Sequence, residues 1–226
     1  SELAEIYLAL ERSKDALTKY LKALKIYNSE DINEKNQFMI ANLYYNIGTT
    51  YYKLNDIKKA RENHETALKY RLLKNPDGQS TDIAASHSIL GEIYQRMGHP
   101  EKAQECLVKT QQIRESLLGL NHLDTAASYY DLGEFYYALD DFPKALEFHK
   151  KALEIKESIL NKNDPEVAMS YGVLAMIYFN LNDPEQSKDH NWKALDIYKE
   201  NYGEEHTDVA LIYNNLAIVY DSLGKP

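Results

Sequence analysis

Apolar and small residues recur along this chain at helical spacing, and the recurrence has a long period. Small residues at Ala4, Gly48, Gly91, Gly133, Ala175 and Ala217 are separated by 44, 43, 42, 42 and 42 positions. A fixed period of this size marks a solenoid built from stacked units. An apolar residue precedes each of these anchors (Leu3, Ile47, Leu90, Leu132, Leu174, Leu216), and a tyrosine follows three positions later (Tyr7, Tyr51, Tyr94, Tyr136, Tyr178, Tyr220). Four before the anchor stand Tyr44, His87, Tyr129, Tyr171 and Tyr213; twelve after it stand Ala16, Ala60, Ala103, Ala145 and Ser187. Residues three and four apart share a helix face, so each set forms one stripe. The anchor lies on a first helix, A, and the small residue twelve later on a second, B. Small side chains at both places let the two helices approach closely as an antiparallel pair. One pair cannot bury both of its faces, so neighbouring pairs must stack. The expected fold class is all-α, with about eleven helices: five pairs and an unpaired last helix A.

The punctuation agrees with this division. Asp56, His99, Asp141 and Asp183 stand where each helix B begins, and three of them are good N-caps. Pro100 and Pro184 follow at the first helical position, where a missing N–H is harmless. Asp164-Pro165-Glu166 and Ser80-Thr81-Asp82 open the fifth and third A helices in the same manner. Residues 28–35 and 75–80 are expected to be longer loops, Gly78 marking a flexible tip in the second. The repeats fall at approximately 1–28, 36–74, 80–119, 122–161, 164–201 and 206–226, as one array with the last repeat lacking helix B.

This constellation resembles the tetratricopeptide repeat (TPR). The family's aromatic, Leu-Gly, Tyr, Ala and second Ala are matched here by Tyr129, Leu132, Gly133, Tyr136, Ala145 and Ala152. The longer period and joints such as 163–168 and 206–210 are similar to the 42-residue subclass typified by kinesin light chains. The resemblance covers nearly the whole chain and is weakest over 1–27. It implies a right-handed superhelix that binds protein partners along its concave face. The aromatic that the family places at the centre of helix B is replaced by Tyr20, His64, Leu107, His149 and Asn191.

Composition narrows the function further. A net charge of −9 argues against a general nucleic-acid binder. Cys106 is the single cysteine and no Asn-x-Ser/Thr sequon occurs, which suits a reducing, cytoplasmic setting. No 18-residue apolar run predicts a membrane span. The chain opens inside a helical pattern, as expected of a segment of a longer protein. Seven histidines show no metal-ligand spacing; His64 and His149 read as packing residues and His122 and His206 as residues that open helices. Cys106 reads as a buried apolar residue. No phosphate loop or nucleophile elbow is present, so the chain reads as a non-enzyme with no cofactor and no metal.

What remains is the concave face. By resemblance, helix A positions six and three before the anchor, and one, four and five after it, line it. The resulting peptide-groove candidates are Asn42, Tyr45, Tyr52, Lys53, Glu92, Arg96, Tyr130, Glu134, Tyr137, Met176, Phe179, Asn180 and Asn214. Tyr130, Tyr137, Met169, Met176, Phe179, Leu211 and Ile218 are expected near one another as apolar anchors. Asn42, Asn180 and Asn214 would hold a peptide backbone. Glu92 and Glu134 beside Lys53 and Arg96 disfavour a clamp for a terminal carboxylate. The expected function is a scaffold or adaptor that binds a linear or helical peptide segment of a partner protein. The alternatives are a regulatory or sensor module of a larger signalling protein, and a self-associating array joined through its unpaired last helix.

Overall fold

The computed structural model describes residues 2–28 and 34–224, with side chains for 11–27 and 36–224. Among the described residues there are ten helices and no strand: α1 (Glu2–Asn28), α2 (Glu34–Lys53), α3 (Ile57–Lys74), α4 (Thr81–Arg96), α5 (Pro100–Leu118), α6 (Leu123–Tyr137), α7 (Phe142–Ile159), α8 (Pro165–Asn180), α9 (Pro184–Tyr202) and α10 (Thr207–Ser222). Packing divides the chain into two compact units, 1–117 and 118–226. In the first unit α2 packs on α3; in the second α6 packs on α7 and α8 on α9. Each pair also touches the helix that follows or precedes it, as α3 touches α4 and α7 touches α8.

The turn from helix A to helix B has one chemistry throughout. Tyr51 O accepts from Asp56 N at 2.9 Å, and Tyr52 O from Asn55 N at 2.9 Å. This pair of bonds is the Schellman motif, which satisfies carbonyls left open at a helix end. It recurs at Tyr94–His99, Tyr136–Asp141 and Tyr178–Asp183. The motif demands a left-handed residue, and Asn55, Gly98, Asp140 and Asn182 supply it, with φ between 58° and 72°; Gly224, just past α10, has φ 65°. All five stand seven positions after their anchors, and all are types that tolerate this region. The next residue then caps helix B: Asp56, Asp141 and Asp183 side chains accept from the N–H groups of Lys59, Lys144 and Gln186.

The first repeat departs from the expected pattern. Ala4 and Ala16 do not lie on two helices; α1 runs unbroken from Glu2 to Asn28, giving ten helices among the described residues where eleven are expected. The residue seven after Ala4 is Glu11, which disfavours the left-handed conformation, and the stretch LALERSK around it contains no Gly, Pro, Asn or Asp. The helix has no stop signal there and continues. The loop expected at 28–35 falls at 29–33 outside the described residues, and so do the side chains of Leu3, Ala4 and Tyr7. The loop at 75–80 is present, with Gly78 at φ 74°.

The joints match expectation. Asp164 and Ser80 cap α8 and α4 through Glu166 N and Ile83 N. His122 and His206 open α6 and α10, each ring Nδ1 accepting from the N–H two residues on, at 3.1 and 3.2 Å. Cys106 is buried, and burial pushes its thiol up to about 11.

The crossing of A and B is governed by the anchor. A methyl group added to Gly48 would stand 2.7 Å from the His64 ring, and one added to Gly133 2.5 Å from the His149 ring. His64 and His149 are fully enclosed and fill the space opposite these glycines. Leu107 does the same opposite Gly91. In the fifth repeat the anchor is alanine (Ala175) and the helix-B residue is the smaller Asn191, both buried. The second unit adds a core of Leu153, Val167, Leu174, Leu195, Ile212 and Leu216. Each such side chain contributes about 1.5–3 kcal/mol when fully buried.

Gly133→Ala therefore gains about 1 kcal/mol in helix propensity and loses about 1–3 kcal/mol to overpacking, a net loss measurable by urea denaturation. The double variant Gly133→Ala/His149→Asn reproduces the Ala175–Asn191 pairing and is expected to be less destabilised than the sum of its singles; strict additivity would show that the contact is not limiting. Burial pushes His64 and His87 down to about 4. Both are neutral when folded at pH 7, while the unfolded chain takes up protons near 6.5. Stability should thus fall as pH drops from about 6.5 to about 4 and then level off. His64→Leu should flatten that slope in urea midpoints measured across the window.

Candidate functional site

The groove candidates fall into two sets, one in each unit. In the first unit Tyr52, Glu92 and Arg96 come together: the Tyr52 hydroxyl donates to the Glu92 carboxylate, and the Arg96 guanidinium lies 4.8 Å from the Tyr52 ring centroid. Burial, and then the Glu92 hydrogen bond, raise the Tyr52 phenol above its ordinary value. Arg96 Nη2 also donates to Asn55 Oδ1 at 3.5 Å. Lys53 is exposed in the last turn of α2.

Asn42 and Tyr45 are held inward. Asn42 Oδ1 accepts from Arg71 Nη2 at 3.4 Å. The buried Arg71 also donates to Ser86 Oγ at 2.6 Å and the Asp82 carbonyl at 2.5 Å. Its guanidinium lies 4.4 Å from the Tyr45 ring, which meets the His64 ring edge-on at 4.9 Å. The second unit repeats this stack two repeats later. Tyr130 meets His149 edge-on at 4.9 Å, and Lys156 Nζ lies 5.7 Å from the Tyr130 ring. Glu134 Oε1 stands 3.2 Å from His149 Nε2, close enough for an ion pair when the ring is charged but poorly aligned for a hydrogen bond. Burial, with the nearby Glu134 and Asp131 charges, pushes the Tyr130 phenol up to about 12. These side chains are half-buried parts of the helix packing as much as they are surface.

The remaining candidates gather around an open pocket of about 210 Å³ in the second unit. Tyr137, Met176, Phe179 and Asn180 line it, with Ile218 and Val219 from α10. Asn180 Nδ2 donates to the Tyr137 hydroxyl at 2.9 Å and to the Met176 carbonyl at 3.0 Å, which fixes the rim. Met176, Phe179 and Ile218 are exposed at 44%, 38% and 49% despite being large and apolar. Met169, Leu211 and Asn214 are exposed too, but the pocket lining includes Asn215 and not these three.

Five pocket residues lie outside the candidates drawn from sequence: Ala175, Asn215 and Val219, and, on α9, Ser187 and Asn191. The last two matter most here. Both occupy positions that pack helices in the other repeats. The available signal was the loss of bulk. In the second and fourth repeats a tyrosine three before the anchor covers a histidine; in the fifth those positions hold Gly172 and Asn191. Among the described residues no group of three or more His, Cys, Asp or Glu is placed to hold a metal ion, and no helix is long and apolar enough to cross a membrane.

A family model described as tetratricopeptide repeat matches residues 1–72, 82–158, 132–200 and 166–226. A curated relative, response regulator aspartate phosphatase E of Bacillus subtilis (strain 168), is 31% identical over 108 residues, which cover 47% of this chain and 27% of the relative. This chain therefore matches well under half the length of that relative. Among solved structures, BtubC (BKLC) from P. vanneervenii is similar with a TM-score of 0.77 at 19% identity, over 91% of this chain and 83% of that one. A kinesin-light-chain-type repeat protein of Podosopora anserina gives 0.71 at 21%, over 81% and 88%. The apo form of RapI gives 0.77 at 15%, over 99% and 62%. At these identities the likeness to the solved structures is one of fold.

Proposed function

The chain belongs to the tetratricopeptide-repeat family, and on that premise we propose that it is an interaction module that binds a peptide segment of a partner protein, with no catalytic role of its own. The observation that carries this reading is the cluster of Tyr137, Met176, Phe179 and Ile218 around one open pocket. Exposed aromatic and Met side chains beside polar groups are the composition of a binding hot spot. Asn180 beside them offers an amide to a peptide backbone. Within the first unit, Tyr52, Glu92 and Arg96 form a separate polar patch. The candidate residues Lys53, Glu92, Arg96 and Glu134 carry both signs of charge, which fits a protein partner better than nucleic acid. A reducing cytoplasmic setting is the one this reading assumes.

A second reading has a specific observation behind it. The match to a response regulator aspartate phosphatase supports a role as the regulatory module of a signalling protein, the groove receiving a controlling peptide or a signalling partner. Self-association is a separate alternative, for which the exposed stripe Ala210, Tyr213 and Ala217 on α10 would serve contact with a second copy. Sedimentation over a range of concentrations separates this from a monomeric groove binder, since a constant mass excludes self-association.

The direct experiment pairs a selected or native peptide ligand with groove variants. Tyr137→Ala and Phe179→Ala are each expected to weaken binding about tenfold or more, as for hot-spot residues, with the helical circular dichroism unchanged. Unaltered affinity in the double variant would remove the groove reading.

A further inference from the structure

Two hydrogen-bonding atoms in the pocket of the second unit have no partner. Asn191 Oδ1 and Ser187 Oγ are buried, and each residue is 1% exposed. The residues are four apart on α9, so their side chains share a face. Asn191 Nδ2 donates to the Ser187 carbonyl at 3.1 Å, which leaves Oδ1 as the open acceptor. Buried polar groups are normally paired, and an orphan costs about 1–3 kcal/mol. The walls beside these atoms are apolar: Met176, Phe179, Ile218 and Val219. No charged side chain lines the pocket. Its volume of about 210 Å³ lies below the roughly 300–1,000 Å³ of small-molecule sites, and suits a single side chain.

We infer that this pocket seats a tyrosine side chain of the bound peptide. The ring lies against Met176, Phe179 and Ile218, a setting favourable to aromatic–sulfur contact. The phenol hydroxyl donates to Asn191 Oδ1 and accepts from Ser187 Oγ. A phenol does both from a single atom, whereas neutral imidazole donates and accepts from two nitrogens on different edges of its ring. Phenylalanine leaves both atoms orphaned. Indole N–H is a donor alone, so tryptophan leaves the serine hydroxyl without an acceptor. A carboxylate or ammonium would enter without a countercharge, and glutamine brings no ring to the apolar walls. The inference rests on the groove reading above and adds the identity of the anchor.

The fifth repeat is built differently from its neighbours at this point. Where Tyr130 covers His149, Gly172 and the smaller Asn191 stand instead; a methyl group added to Gly172 would meet Ile212 Cδ1 at 3.6 Å, while Asn191 borders the pocket.

The test selects random peptides by display against the full chain and measures chosen peptides by fluorescence anisotropy. Tyrosine should dominate one position. Replacing it with phenylalanine should weaken binding about tenfold, the effect of two unpaired buried groups. Asn191→Leu and Ser187→Ala should each reduce binding of the tyrosine peptide and bring the tyrosine-to-phenylalanine ratio towards one. Ser187→Ala installs the residue found at Ala60, Ala103 and Ala145, so it carries the test if Asn191→Leu loses helicity. Failure to select binders, or equal binding to Phe179→Ala, overturns the groove reading and this inference together. Binding that depends on Phe179 but selects tryptophan, or changes less than twofold when the peptide tyrosine becomes phenylalanine, overturns the tyrosine anchor and leaves the groove standing.

Discussion

The distance between helix A and helix B at the anchor residue sets what each repeat can be. At Gly48 and Gly133 the partner histidine ring occupies the place a Cβ would take. Volume at the crossing is reciprocal: glycine faces histidine or leucine, and alanine faces asparagine. The choice fixes more than the pair. His64 and His149 each meet a tyrosine edge-on, and each tyrosine carries a buried cation, Arg71 or Lys156, on its ring. Arg71 then reaches Asp82 and Ser86 on α4, and Lys156 Nζ stands 3.2 Å from Glu166 Oε2 on α8. A glycine in one helix is in this way coupled, through a histidine and a tyrosine, to the ion contacts that join one repeat to the next.

The turn chemistry shows how much of the fold was legible in sequence. The anchors, tyrosines and caps located four A–B pairs, because Schellman turns and Asp caps leave strong residue signatures. The stripe of small residues also suggested a pair in the first repeat, and there it misled. Ala4 and Ala16 have the right spacing, but spacing only says that a pair would pack well. A turn needs a residue that accepts φ near 60°, and Glu11 stands where Asn, Gly or Asp stands elsewhere. Local backbone preference decided against the tertiary pattern, and α1 is continuous. The position seven after the anchor was the informative one.

The candidate site was legible in outline and not in depth. The family resemblance puts Tyr137, Met176, Phe179 and Asn180 on one lining, and these four border one pocket. Periodicity cannot say which outward positions are already engaged. Asn42 Oδ1 accepts from Arg71, Tyr45 and Tyr130 meet histidine rings edge-on, and the Tyr52 hydroxyl is bonded to Glu92. Conversely, Ser187 and Asn191 belong to a face that packs in every other repeat, so a positional rule files them with the core. Their orphaned atoms become visible only once the missing bulk at Gly172 and Asn191 is set beside the filled crossings at His64 and His149.

That contrast bears on why one repeat can differ so much from its neighbours. In a stack of repeats, stability is close to a sum of local and nearest-neighbour terms. Two orphaned polar atoms cost about 1–3 kcal/mol each, which is comparable to burying one or two large apolar side chains. The fifth repeat has those close by: Leu174, Leu195, Ile212 and Leu216 form a continuous core alongside the pocket. The cost is therefore met within the same repeat and its neighbour, and the histidine-filled crossing at Gly133 is left intact. A repeat architecture permits a pocket by a local change, asparagine in place of histidine, at a position that elsewhere only holds helices together.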